Sequence, residues 1–263
     1  MSDHDVEALL ALAVEIAVDA GQVLLGHVDG DLQTTMKTSA TDPVTQADRA
    51  SEALIARRVL AARPDDGFVG EEESDNRVGT SGVRWVVDPL DATVNFTYAN
   101  PHWCVSIAAE DDDGGLVGVV HDPWRREVFT AGRGHGAACN GEPIRVTDVA
   151  DLDMTLVATG FAYDPAVRAE QGAEAADLLT RVRDIRRGGS AALDLAWVAA
   201  GRVDAYVEFA LQPWDWAAGS LLVTEAGGVT SSVSRTFAGR DLPGIVAGGR
   251  AAHDHLTDWL DRA

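Results

Sequence analysis

The chain has almost no lysine: of its 21 basic residues only Lys37 is one, against 42 acidic residues and a formal net charge of −21. So one-sided a charge repels nucleic-acid phosphates and anionic lipid over a Debye length of about 10 Å, so neither direct nucleic-acid contact nor a membrane surface is expected. Cysteine is scarce too. Cys104 and Cys139 fall in a strand-like run and a Gly-rich turn and form no CxxC. They give no disulfide framework, and a reducing, cytoplasmic setting is the expectation. No GxxxxGK[ST] loop and no GxSxG elbow occurs, which argues against nucleoside-triphosphate and serine-hydrolase chemistry. The seven histidines lack HExxH spacing, so a zinc hydrolase is disfavoured. His253 and His255 read as surface residues of a terminal helix. The longest apolar stretch, VEALLALAVEIAVDAGQVLLGHV, is broken by Glu7, Glu15 and Asp19, so it reads as neither a signal peptide nor a membrane span.

What is present suits one large domain, or two lobes sharing a core: 263 residues, 46% apolar and free of low-complexity tracts. Val6, Leu9, Ala13, Ile16, Ala20 and Val23 recur at helical spacing and predict an amphipathic first helix ending near Gly30. A second helix is expected from near Thr45 to Pro64, with Thr45 and Asp48 spaced as in a capping box and Asp48 in the first turn. From 67 to about 147 short β-like runs (GFVG, RWVVD, WCVSIAAE, GLVGVVHD, REVFTA, GAACN) predict an antiparallel sheet. Beyond 150, strands and helices alternate. Ser190 is the N-cap of one helix, Pro213–Asp215 opens another, and a last helix lies near 250–261. We expect a layered α/β architecture with two sheets, divided into an N-terminal lobe, 1–150, and a C-terminal lobe, 151–263.

The stretch WVVDPLDATVNF, residues 85–96, carries the densest chemistry. Asp88 stands at a strand end, Pro89 fixes a tight turn, and Asp91 sits where a helix could start, with Ala92 and Thr93 as its first amides. Two readings stand side by side. In one, Asp91 is a helix cap and Asp88 a turn residue. In the other, both carboxylates hold divalent cations while the free amides take phosphate oxygens and the Thr93 hydroxyl orients a water. VGEEES brings Glu71, Glu72 and Glu73, of which Glu71 is nearest the strand end and the one chosen. Asp215, between Trp214 and Trp216, is expected to be partly buried, and in a lysine-poor chain its natural partner is a metal. Oxygen-only ligands suit a hard cation such as Mg²⁺.

Taken together, DPVTQAD (42–48), GEEES (70–74), WVVDPLDATVNF (85–96), GSAALDLAWVAAGRVDAYVE (189–208) and WDWAAGSLLVTEAGG (214–228) resemble the inositol monophosphatase family. That family lies within the lithium-sensitive, magnesium-dependent phosphatases that include fructose-1,6-bisphosphatases. The resemblance spans nearly the whole chain. It implies a layered αβαβα sandwich, a homodimer, and hydrolysis of inositol-1-phosphate or a related polyol or sugar monophosphate with two to three Mg²⁺ per site. It assigns Glu71, Asp88 and the Leu90 carbonyl to a first cation, Asp88, Asp91 and Asp215 to a second, and Glu71 through water to a third. Thr93, backed by Asp48, would activate the attacking water. The Ala92 and Thr93 amides would hold the phosphate. Gly189, Ser190, Ala191, Glu208 and Asp215, beside Asp91, would line the pocket for the alcohol. Members usually carry glycine where this chain has Ala92, and position 212, here glutamine, varies among them. Within the family, histidinol phosphate, fructose-1,6-bisphosphate and a 3′-phosphoadenosine are alternative substrates. Arg186 and Arg187 are expected to be structural. A role in a transcription complex is the alternative outside catalysis.

Overall fold

The computed structural model describes residues 5–28, 34–36, 43–72 and 76–262. Gly30, Lys37, Asp42, Glu73 and the side chain of Thr45, all named above, lie outside the described residues. The chain runs α1 (Val6–Val28), β1 (Thr34–Met36), β2 (Pro43–Thr45), α2 (Gln46–Ala62), β3 (Gly67–Gly70), β4 (Arg84–Asp91), α3 (Thr93–Thr97), β5 (Cys104–Asp111), β6 (Gly114–Asp122), β7 (Glu127–Gly132), β8 (Gly136–Cys139) and β9 (Glu142–Pro143). It continues through β10 (Leu156–Thr159), α4 (Pro165–Leu179), β11 (Asp184–Arg186), α5 (Ala191–Ala199), β12 (Ala205–Phe209), α6 (Pro213–Glu225), β13 (Val229–Phe237), β14 (Arg240–Gly248) and α7 (Arg250–Leu260).

Two mixed sheets alternate with three helical layers in an αβαβα sandwich. The first sheet has strand order β3-β4-β5-β6-β7-β8-β9, the second β11-β10-β12-β14-β13. Strand alternation shows how each sheet is covered on both faces. Trp85 and Val87 on β4 join Leu9, Ile16 and Leu24 of α1 and Ile55 of α2 in one core. Val86, between them, points the other way, into a second core shared with α5, α6, Tyr206 and Ile245. A third core, with Val167, Leu178, Leu256 and Trp259, covers the outer face of the second sheet. Buried on both faces, the central strands read as nearly continuous apolar runs.

Helix α1 is long and apolar enough to cross a membrane by length and composition. Its inner face is nevertheless built into the protein: Ala13, Ile16, Ala17, Ala20 and Leu24 are fully buried, and the His121 ring donates from Nδ1 to the Ala17 carbonyl, 2.9 Å away. Its three acidic residues lie off that face, and two of them, Glu15 and Asp19, pair with Arg58 of α2.

Helix α2 starts at Gln46, beside the expected Thr45, with Asp48 in its first turn. Other elements differ from the sequence expectation. The first sheet is antiparallel except where β3 pairs parallel with β4. Strand β13 carries no apolar run, because as an edge strand it alternates exposed Ser232, Ser234 and Thr236 with half-buried Val233 and Arg235. His253 is buried, not a surface residue, since its Nε2 lies 2.9 Å from the Ser231 hydroxyl of β13; His255 is exposed.

Candidate active site

The segment at 85–96 is built differently from a strand, a tight turn and a helix cap. Strand β4 runs on through Asp91, and its pairing with β5 slips between Asp88, opposite Ser106, and Asp91, opposite Cys104. Three steps on β4 match two on β5, a β-bulge containing Pro89 and Leu90. In a regular strand, side chains three residues apart face opposite sides. The extra residue puts Asp88 and Asp91 on one face, the face turned toward α5 and α6. Proline suits a bulge because it has no N–H to offer the ladder, and the carbonyl of Pro89 accepts from the Ser51 hydroxyl at 2.9 Å.

Asp91 therefore is not the cap of α3. Ala92 is, with φ 75° and ψ 51°, in the left-handed region. A residue with a β-carbon pays roughly 1–2 kcal/mol there, whereas glycine pays no such strain. We expect Ala92→Gly to raise stability by about 1 kcal/mol, a Tm gain of about 2–4 °C for a chain of this size. Thermal unfolding of the two proteins checks this; a lower Tm would contradict the left-handed turn.

Other elements bring further carboxylates to the same end of β4. The parallel pairing of β3 and β4 continues into a hydrogen bond that the Glu71 amide donates to the Val87 carbonyl, which sets Glu71 beside Asp88. Buried Glu52 of α2 accepts the Glu72 amide at 2.8 Å, and a β-carbon at Gly70 would strike its carboxylate. Asp48, Glu71 and Glu72 each place an oxygen within 4.8 Å of the others. The Ser106 hydroxyl, opposite Asp88, donates to the Trp214 carbonyl, docking the first turn of α6. There Asp215 accepts the Gln212 amide at 2.6 Å. Asp91 is held by the start of α5: its Oδ2 accepts from the Ser190 hydroxyl at 2.6 Å and the Ala192 amide at 2.7 Å. Ser190 is fully buried. Its hydroxyl serves Asp91 and the helix cap, and it is absent from the residues lining the cavity.

That cavity, about 170 Å³, is lined by Asp91, Ala92, Gly189, Ala191, Glu208 and Asp215, with Phe161, Tyr163 and Leu211 among the apolar walls. At its edge the Thr93 hydroxyl lies 3.3 Å from Asp48 Oδ2 and 3.2 Å from the Leu90 carbonyl. Six of the residues singled out from sequence thus share one cavity, while Asp48, Glu71, Asp88, Leu90 and Thr93 stand along the carboxylate side of it. Sequence reading missed Glu72, hidden in a run of three glutamates, and also Glu52, Tyr206 and Gly160. Tyr206 alternates with Glu208 along β12, a spacing that places both on one face.

The electrostatics are those of like charges crowded together and buried. Burial raises the Asp88 carboxyl well above the usual range, and Glu71, Asp91, Asp215 and Asp48 push it further. Burial raises Asp91 to about 6 despite its bonds to Ser190 and Ala192. Asp215 is also well raised, by burial and then by Asp91. Glu208 reaches about 7, burial outweighing the Tyr206 hydrogen bond. The charges acting on Asp88 are all carboxylates, and the donors are all oxygens. Such a set fits a hard divalent cation.

A pH dependence follows. A carboxyl raised in the folded state favours folding below its unfolded value, and this stability is lost as pH rises through the folded value. For Asp91 and Glu208 the window runs from about 4 to about 7. The Tm gain from adding Mg²⁺ to chelated protein is expected to be larger at pH 8 than at pH 5; an equal or smaller gain at pH 8 would contradict the cluster as the cation site.

Comparison with known proteins gives a consistent result. The model of the inositol monophosphatase family matches residues 5–261. A curated relative named Nus factor SuhB, from Salmonella typhimurium, is 43% identical, covering 97% of this chain and 99% of its own. The inositol-1-monophosphatase of Synechocystis is 37% identical over 98% of this chain and 91% of its own. Among solved structures, the extragenic suppressor protein suhB of Bartonella henselae superposes with a TM-score of 0.87 at 39% identity, covering 96% of this chain and 98% of that one.

Proposed function

The chain belongs to the inositol monophosphatase family, and on that footing we propose that it is a magnesium-dependent phosphomonoesterase acting on inositol-1-phosphate or a related polyol or sugar monophosphate. The observation that carries this reading is the convergence of carboxylates from α2, β3–β4 and α6 beside one cavity that also holds Ala92 and Glu208. Glu71, Asp88, the Leu90 carbonyl, Asp91 and Asp215 would hold two Mg²⁺, with a third near Glu71, where Glu72 offers one more oxygen. When bound, the cations supply Lewis-acid charge that makes water more acidic and offsets charge on the phosphate and the departing alkoxide. In this proposal the N-terminal lobe, 1–150, supplies the acidic turn and the C-terminal lobe, 151–263, supplies Asp215 and the alcohol pocket.

The chain's own groups do the rest. Thr93, with its proton turned to Asp48, leaves hydroxyl lone pairs to orient the attacking water, and buried Asp48 receives the proton. The amides of Ala92 and Thr93, at the start of α3, bind phosphate oxygens. Water adds to phosphorus, the ester P–O bond breaks, and the departing alkoxide oxygen takes a proton from solvent water; no covalent intermediate is required. Gly189 and Ala191 leave room for the alcohol, and Glu208 accepts a hydrogen bond from one of its hydroxyls. Lithium sensitivity, a homodimer and a cytoplasmic location complete the proposal, on the strength of the family. A screen of polyol, sugar, histidinol and nucleotide monophosphates tests it. We expect Mg²⁺-dependent phosphate release, fastest on a polyol or sugar ester; release from none of them would end the reading.

A second reading rests on the relatives named Nus factor. A protein-binding role in a transcription complex is compatible with the site described. With a net charge of −21, it would act through protein contacts and not through RNA or DNA. Retention of RNA polymerase components in a pull-down at physiological salt would support it, and a clean negative would remove it.

A further inference from the structure

Glu208 is held in an unusually specific way. Strand β12 places Tyr206 and Glu208 on one face, and the Tyr206 hydroxyl, on a fully buried side chain, donates to Glu208 Oε2 at 2.7 Å. The neighbouring strand β10 runs parallel, with Thr159 opposite Val207, and the Thr159 hydroxyl donates to the Val207 carbonyl at 2.7 Å. That clamp brings Gly160, the next residue, against the Glu208 carboxylate. A β-carbon at Gly160 would lie 2.0 Å from Oε2 and 2.2 Å from Oε1, distances no real pair of atoms adopts. Gly160 does not have a positive φ, so what the glycine supplies is space and not backbone freedom.

We propose that Tyr206 and Gly160 are positioning residues for alcohol recognition: together they fix Glu208 with one oxygen occupied and the other presented to a hydroxyl of the substrate. This rests on the phosphatase reading and makes it more specific. The favoured substrates are phosphomonoesters carrying a hydroxyl close to the ester carbon. Esters without such a hydroxyl gain nothing from the arrangement. Tyr206 touches neither phosphate nor water in this scheme, and acts only through Glu208.

The discriminating experiment compares inositol-1-phosphate with phenyl phosphate, which has no hydroxyl to offer. Tyr206→Phe removes one hydrogen bond and keeps the ring. We expect kcat/KM on inositol-1-phosphate to fall about fivefold, mainly through KM, with phenyl phosphate within twofold of wild type. Gly160→Ala displaces the carboxylate, and a loss of about tenfold or more is expected on the polyol ester alone. Retained turnover of phenyl phosphate shows that each variant has folded with its carboxylate cluster intact. Equal losses on both esters, in either variant, would mean a structural role and overturn the proposal, as would no loss on either. If the wild-type protein hydrolyses phenyl phosphate but shows no preference for the polyol ester, the phosphatase reading survives and this one fails. Wild-type protein inactive on both esters would remove both.

Discussion

Asp91→Asn is expected to lower kcat/KM by about a thousandfold or more, on the order of 4 kcal/mol of transition-state stabilisation. The substitution is nearly isosteric, so its effect isolates charge. Asp91 Oδ2 already accepts from the Ser190 hydroxyl and the Ala192 amide, with the Cys104 thiol 3.8 Å away as a weaker donor, which leaves Oδ1 to face a cation. Asparagine keeps both donors satisfied only by turning its NH₂ toward the cation, where it repels. If the amide flips instead, the NH₂ meets two donors and the start of α5 loses its anchor. Either way the cation site is weakened. Stability should move oppositely: relieving like-charge repulsion at Asp88 and Asp215 should raise Tm in chelator at pH 8. A loss smaller than tenfold, measured at saturating Mg²⁺, would show that Asp91 is not a ligand.

Thr93→Val should reduce kcat by about a hundredfold to a thousandfold while leaving the Mg²⁺ needed for half-maximal rate within a few-fold. Valine keeps the β-branch at the start of α3 and removes only the hydroxyl that lies near Asp48 Oδ2 and the Leu90 carbonyl. Steady-state kinetics across Mg²⁺ concentrations separates the outcomes. If kcat holds while the Mg²⁺ requirement rises, Thr93 serves only to hold the Leu90 carbonyl and does not prepare the attacking water. Asp48→Asn should give a similar loss, and the double variant little more than either single change, because the two act as one unit.

Much of this arrangement was legible in the sequence, for identifiable reasons. Helices α1, α5 and α6 declared themselves through apolar spacing, the Ser190 cap and the Pro213 start. The central strands did so through apolar runs that two covered faces demand. Asp215, between two tryptophans, pointed to a cation because so few lysines exist to balance a buried carboxylate. The rest depended on partners far away in the chain. Nothing within 85–96 reveals a bulge, since the slip exists only relative to Ser106 and Cys104 on β5. Read locally, Pro89 meant a turn; in the sheet it marks the extra residue that aligns Asp88 with Asp91. Ser190 looked like pocket lining, yet its burial turns it toward Asp91. Gly160 carries no local signal at all, because its requirement comes from the carboxylate of Glu208, 48 residues away. His253 reads as an exposed helical residue until β13, itself hard to see, packs beside it.

The central claim is that the carboxylates of α2, β3–β4 and α6 are one cation site that drives hydrolysis of phosphate esters. The most direct test is a Mg²⁺ titration of phosphate release from inositol-1-phosphate, run on wild-type protein stripped with chelator and on Asp91→Asn beside it. The account predicts no release without the cation, a saturable rise for the wild type, and a rise at least about a thousandfold lower for the variant. Release that proceeds unchanged in chelator, or a variant that follows the wild-type curve, would contradict it.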